Sequence, residues 1–184
     1  MSTRRRVLAV TALSLSAAAG CLEDTVPDDL AERLPGGREG PDDSEARRDI
    51  LTDYEAALEA RNAGIEVRDR GIEHFNVEAY AEAIEAIETA LDDFIAAEEG
   101  FEDAMAGASD LDLDRVHGIC ADAAENTRLQ VAATEAGLEA STAADEGADA
   151  DSINESIMTY QERVEEAEGI PVADGETVAE ELGF

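Results

Sequence analysis

Three residues with metal-binding side chains lie close together in the chain: Asp114, His117 and Cys120. Their three-residue spacing would place them on adjoining turns of a helix, and imidazole with thiolate suits zinc or copper. A fourth ligand is lacking, because the other histidine, His74, belongs to a different predicted helix. We therefore favour a core cysteine beside a surface histidine, and the sequence predicts no metal and no other cofactor.

A calcium loop and a catalytic triad are also disfavoured. Asp110, Asp112 and Asp114 have the spacing that opens a calcium loop, but Arg115 stands where the loop needs glycine and Ala121 where it needs an acid. The chain has 2 histidines, which are poorly placed to activate a serine, and it has no glycine-rich phosphate loop. The sequence thus predicts a protein that is not an enzyme.

The first 21 residues have the pattern of an export signal that ends in a cysteine. Arg4 and Arg5 precede an apolar stretch over 7–19, which is followed by Gly20 and Cys21. The stretch is shorter than the roughly 20 residues that span a bilayer, and its charged start and small-residue exit are typical of signal peptides. It resembles a twin-arginine signal with a lipoprotein cleavage site. This resemblance implies export, removal of residues 1–20 and attachment of lipid to Cys21.

The charge of the chain is strongly negative. It has 46 acidic residues against 13 basic ones, all of them arginine, for a formal net charge of −33. Removal of residues 1–20, which hold three arginines and no acid, would make this −36. Such a charge opposes a compact state in dilute buffer, whereas about 1 M salt shortens the Debye length to about 3 Å. The composition resembles secreted proteins of extremely halophilic archaea, and it excludes nucleic acid as a partner.

The chain divides into four predicted regions. The signal peptide covers 1–20, and Cys21 begins a flexible acidic leash over 21–43, which holds three of the 4 prolines. A helical domain is predicted over 44–170, followed by a C-terminal tail over 171–184. The alternative of an acidic disordered chain is disfavoured by helical periodicity in the domain.

Apolar residues in this domain recur at alternating steps of three and four, which predicts helices that pack side by side. The first stripe is Leu51, Tyr54, Leu58, Ile65, Ile72 and Phe75. The second is Val77, Tyr80, Ile84, Ile87, Leu91, Phe94, Phe101 and Met105, and the fourth is Ile153, Ile157, Tyr160, Val164 and Ala167. The third is Leu113, Val116, Cys120, Ala123, Thr127, Val131, Thr134 and Leu138. The predicted fold is all-α, an antiparallel up-down bundle of three long helices and a shorter fourth.

Two arginines occupy slots of the first stripe. A hairpin about Asn76 would bring Arg68 near Glu85 and Arg61 near Asp92. We therefore predict interhelical ion pairs beside an apolar seam. The alternative is that both arginines extend out of the seam to solvent.

Residues 67–91 resemble a single tetratricopeptide repeat. Gly71, Tyr80, Ala83 and Ala90 match its small and aromatic positions, although the chain has one such copy only. The resemblance implies binding of a peptide or protein partner on a concave face.

These features predict a lipid-anchored helical bundle that faces the exterior of the cell membrane, with an interaction or structural role. Its partners would be the membrane, through lipid on Cys21, a protein, or a second copy of the chain. The alternative is a lipoprotein that binds a small ligand or metal on the inner face of helix three. There Cys120, Ala123, Thr127 and Thr134 form a stripe of small residues that would line a polar cavity.

Overall fold

The computed structural model describes residues 41–184, with side chains from Asp43 onward, and its regular structure there is entirely helical. The predicted signal residues Arg4 and Arg5, the lipid site Cys21 and most of the leash lie outside the described residues. No helix within 41–184 is long and apolar enough to cross a bilayer. The helices are α1 (Pro41–Asn76), α2 (Tyr80–Asp110), α3 (Asp114–Asp145), α4 (Ala150–Glu168) and α5 (Gly175–Leu182).

The first residues of α4 and α5 are fixed by aspartate caps. The Asp149 carboxylate accepts hydrogen bonds from the backbone N–H groups of Asp151 and Ser152, at 3.2 and 3.1 Å. Helix α4 therefore begins at Ala150, directly after Asp149, because the Asp149 side chain satisfies free N–H groups of its first turn. At α5, Asp174 accepts from the Thr177 N–H at 2.8 Å.

The three long helices pack together, as predicted for this all-α chain. Helix α1 packs along α2, α2 along α3, and α3 along α4, while α5 touches α1 and α3. The short α5 is held by the Tyr54 hydroxyl, which donates to the Ala173 carbonyl at 2.8 Å, and by Arg47, which donates to the Leu182 carbonyl at 2.9 Å. In the described part of the chain α4 has no close backbone contact with α1. A trough therefore runs between α1 and α4, and α3 forms its floor.

Small residues form the contact between α1 and α2. A Cβ atom on Gly71 would lie 2.7 Å from Ile87, and one on Gly100 would lie 2.9 Å from the Cβ of Ala57. Gly64 and Gly107 are similarly close to the opposite helix, at 3.1 and 2.8 Å. We call Gly64, Gly71, Gly100 and Gly107 the glycine seam. Because these four positions lack a side chain, the two helices approach closely enough for side chains of one to enter the surface of the other.

The predicted stripe of α2 is correct at Ile87, Phe94 and Phe101, and the buried line of the helix departs from it by one residue at the positions between them. It consists of Ala83, Ile87, Ala90, Phe94, Ala97, Phe101, Ala104 and Ala108. The larger Ile84 and Leu91 are only half-buried beside it. Side-chain size misled the prediction at Ile84 and Leu91, because alanine is buried beside them at this close helix contact and the larger residues flank it.

Candidate anion-binding cleft

Arg68 is the one charged side chain that is buried between residues 43 and 184, at 6% exposure. Its guanidinium carbon lies 5.6 Å from the centre of the Phe94 ring and 5.8 Å from that of the Tyr160 ring. Its Nη1 donates a hydrogen bond to the Gln130 side-chain oxygen. Helix α1 thus carries a cation that contacts α2, α3 and α4 at once, and the two aromatic faces attract it.

This buried cation has little negative charge opposite it. The one carboxylate that the described residues place within 4 Å is Asp69, 3.6 Å from Arg68 Nη2, and the Asp69 side chain is 64% exposed. Solvent weakens an ion pair of this kind. The Arg68 Nε is buried and has no hydrogen-bond partner among the described residues. Because a buried charge is costly unless it is paired and fully hydrogen-bonded, the site favours an added anion.

A second arginine lies two turns away on the same helix. Arg61 is half-buried and its Nε donates to the Asn126 side-chain oxygen at 3.0 Å. Burial is the main cause that lowers the pKa of Arg61; nearby Tyr54 opposes the shift and the positive charge of Arg68 adds to it. The two guanidinium groups therefore raise the electrostatic potential of one shared region.

Two amide side chains of α3 hold the arginines. The Asn126 amide nitrogen donates to the carbonyl oxygens of Ala167 and Ile170, at 2.7 and 2.9 Å, and so ties α3 to the end of α4. Its oxygen is then directed to Arg61, as the oxygen of Gln130 is to Arg68. Asn126 and Gln130 are spaced by one helical turn and both are buried. This spacing is visible in the sequence and could have indicated two polar side chains on one face of α3. The third predicted stripe instead contained their neighbours Thr127 and Val131.

These residues line a cleft of about 620 Å³ in the trough between α1, α3 and α4. We call it the arginine cleft. Its polar wall is formed by Arg61, Arg68, Asn126 and Gln130, and Tyr160 and Val164 form part of its apolar side. Asp69 and Glu168 also border the cleft, and both are exposed. Burial raises the pKa of Tyr160 above its ordinary value, despite the opposing charge of Arg68.

A second, apolar cavity of about 260 Å³ continues along the same three helices. Most of its lining is apolar, while Asn76, Ser141 and Gln161 add polar groups, of which Asn76 and Gln161 are exposed. The apolar part consists of Ile72 and Phe75 of α1, Gly137 and Ala140 of α3, and Ile157 and Tyr160 of α4. The trough therefore has a cationic part and an apolar part, and Tyr160 borders both.

The predicted partners of the two arginines differ from those observed. Glu85 and Asp92 form no ion pair with Arg61 or Arg68 among the described contacts, because both arginines face α3 rather than the outer face of α2. An ion-pair cluster between helices occurs elsewhere. Arg128 of α3 contacts Glu98 and Glu102 of α2 and Glu125 of its own helix, at 2.7 to 3.0 Å.

The candidate metal ligands do not come together. Asp114 is exposed, His117 is half-buried and Cys120 is fully buried. Burial raises the pKa of the Cys120 thiol to about 11, which disfavours the thiolate that binds metals. Within the described part of the chain no three histidine, cysteine or acidic side chains are grouped to hold a metal ion.

The small-residue stripe of α3 does not line either space. Thr127 and Thr134 are fully buried, and their hydroxyls donate to carbonyls of their own helix at 2.8 and 2.7 Å. The trough is floored instead by the neighbouring face of α3, from Asn126 and Gln130 to Gly137 and Ala140.

Comparison with protein-family models, with curated proteins and with solved structures gives no match to the chain.

Proposed function

We propose that the protein is a lipid-anchored, extracytoplasmic binding protein whose helical domain takes an anionic group in the arginine cleft. The observation that carries the proposal is the buried Arg68 guanidinium, which is 6% exposed and faces no buried carboxylate among the described residues. An arriving carboxylate would accept charge-assisted hydrogen bonds, which are shorter and stronger than neutral ones. Arginine suits this role because its planar fork matches a carboxylate.

The proposed role is binding without catalysis. The polar groups of the cleft are two guanidinium groups, two amides and a phenol, which can hold and orient a ligand. The rim carboxylates of Asp69 and Glu168 disfavour highly charged anions, since each added negative charge on the ligand meets like charge there. A ligand with a single negative charge fits this balance best.

The proposed arrangement of the helices is an up-down antiparallel bundle. It is supported by the contacts of the glycine seam, in which Gly64 meets Phe94 while Gly71, further along α1, meets the earlier Ile87. The same reversal relates α3 and α4, because Gly137 lies near Tyr160 whereas Asn126 binds the later Ala167. This order leaves α1 and α4 as the outer walls of the trough.

The proposed location rests on the sequence, through Arg4, Arg5 and Cys21. Changing Cys21 to Ser is expected to move most of the protein from the membrane fraction to the medium, because the lipid that holds it is lost. The measurement is an immunoblot of both fractions, and Cys120→Ala serves as a matched control that should stay with the membrane. Retention of Cys21→Ser in the membrane fraction would contradict the anchor.

The binding proposal is tested at the unpartnered Nε of Arg68. In a two-dimensional NMR spectrum of arginine side chains, one Nε–H signal should be missing from the Arg68→Met variant. Titration of the wild type with sodium acetate, at constant ionic strength with chloride as the ion replaced, is expected to shift that signal saturably. If it does not move, or moves only in step with the exposed Arg128 signal, the arginine cleft does not bind carboxylates.

A further inference from the structure

We infer that the ligand of the trough is an amphipathic monocarboxylate, with its carboxylate at Arg68 and its apolar body in the cavity beside Tyr160; this rests on the proposed function. The charged and apolar spaces follow one another along the same three helices and share Tyr160. A molecule that fills both must carry its charge at one end and apolar groups at the other.

The spacing of the lining residues sets the size of the ligand. On α1 the apolar cavity begins at Ile72, one turn after Arg68, and reaches Phe75. On α3 it spans Gly137 to Ser141, whereas the Arg68 partner Gln130 lies seven residues earlier. At 1.5 Å per residue, these separations along α1 and α3 place the middle of the apolar cavity about 10 Å from Arg68 and Gln130. The ligand is therefore a medium-length molecule rather than a small anion such as acetate.

The cavity has room for such a body. An apolar cavity of about 150 Å³ accommodates benzene, and this one measures about 260 Å³. Ile72, Phe75 and Ile157 are each half-buried, so a ligand would remove further apolar surface of the protein from water. The Ser141 hydroxyl at the far end already donates to the Gly137 carbonyl at 2.9 Å, and so it does not require a polar ligand group.

The negative charge of the chain does not prevent this binding in concentrated salt. At about 1 M ionic strength the repulsion between distant surface carboxylates and the ligand is screened within about 3 Å. Chloride then competes at Arg68, but it gains nothing from the apolar cavity. Burial of the apolar body is thus the feature that selects the ligand over the dominant anion of the medium.

The test is an affinity series by calorimetry with acetate, butyrate, hexanoate and octanoate on the whole protein. Each buried methylene is expected to tighten binding about threefold to fourfold, since it contributes about 0.8 kcal/mol. Hexanamide, which lacks the charge, is expected to bind at least tenfold more weakly than hexanoate. The Ile157→Asn variant should flatten the series, because it places a polar group in the cavity that receives the apolar body. Met158→Asn, at a side chain 69% exposed on the same helix, should behave as the wild type.

The outcomes separate this inference from the function on which it depends. Equal affinities along the series, with acetate still bound, would overturn the amphipathic ligand and leave the anion site intact. Equal affinities of hexanamide and hexanoate would overturn the role of the charged end. Absence of binding by every carboxylate would contradict the anion site itself. If Ile157→Asn does not fold, the wild-type series still tests the apolar body of the ligand, and the comparison of hexanamide with hexanoate still tests its charged end.

Discussion

Replacing Gly100 with alanine is expected to lower the free energy of unfolding by about 1–3 kcal/mol, the range seen when a methylene is forced into a packed interface. The new Cβ would lie 2.9 Å from the Cβ of Ala57, which cannot rotate away. The Asp53 carbonyl is 3.5 Å from the same point. The backbones of α1 and α2 would therefore have to separate, and the contacts along the glycine seam would weaken together.

The matched control is Gly118→Ala. Gly118 lies within α3, is exposed, and an added Cβ there would meet nothing within 4 Å. Alanine is the better helix former by about 1 kcal/mol, so this change is expected to stabilise the protein slightly. Both variants are compared by urea denaturation in concentrated salt, because urea leaves the ionic strength unchanged. Equal stabilisation by the two changes would mean that α1 and α2 do not pack closely at Gly100.

The helices of this fold could be predicted from sequence, whereas the identity of their contact surfaces could not. Steps of three and four residues placed the three long helices and α4, whereas α5 lies in the segment that was predicted only as a C-terminal tail. On α2, however, Ile87 is four residues after Ala83 and three after Ile84, so both residues have helical spacing to it. Periodicity alone therefore does not show whether Ala83 or Ile84 is buried. Close packing selects the smaller residues, and this choice depends on glycines of the opposite helix.

The candidate site, too, could be predicted from the sequence only in part. Arg61 and Arg68 were recognised as charged residues in slots of an apolar stripe, which is the local signal of a buried polar site. Their partners Asn126 and Gln130 lie 65 and 62 residues away. The trough itself arises because α4 packs on α3 without closing on α1, which is a property of the assembled helices rather than of any one segment.

Replacing Arg68 with methionine and Gln130 with leucine together is expected to make the protein about 1–4 kcal/mol more stable in the absence of carboxylate. Buried charged groups replaced by apolar residues of similar volume give gains of this order. The double change also avoids leaving the buried Gln130 oxygen without its donor, which alone would cost about 1–3 kcal/mol. Arg128→Met is the control, because its ion pairs are exposed and should contribute less than about 1 kcal/mol.

The central claim, that Arg68 is kept in the interior to bind an anionic ligand, is tested most directly by the thermal midpoint as chloride is replaced with hexanoate at constant ionic strength. A ligand that binds only the folded state raises stability with its concentration. Without hexanoate, we expect the thermal midpoint of the wild type to lie below that of the Arg68→Met/Gln130→Leu variant. As hexanoate is added, the wild-type midpoint should rise by several degrees and approach that of the variant, which should stay constant. The claim would be contradicted if the wild-type midpoint lies above that of the variant without hexanoate and rises no more than the variant's midpoint when hexanoate is added.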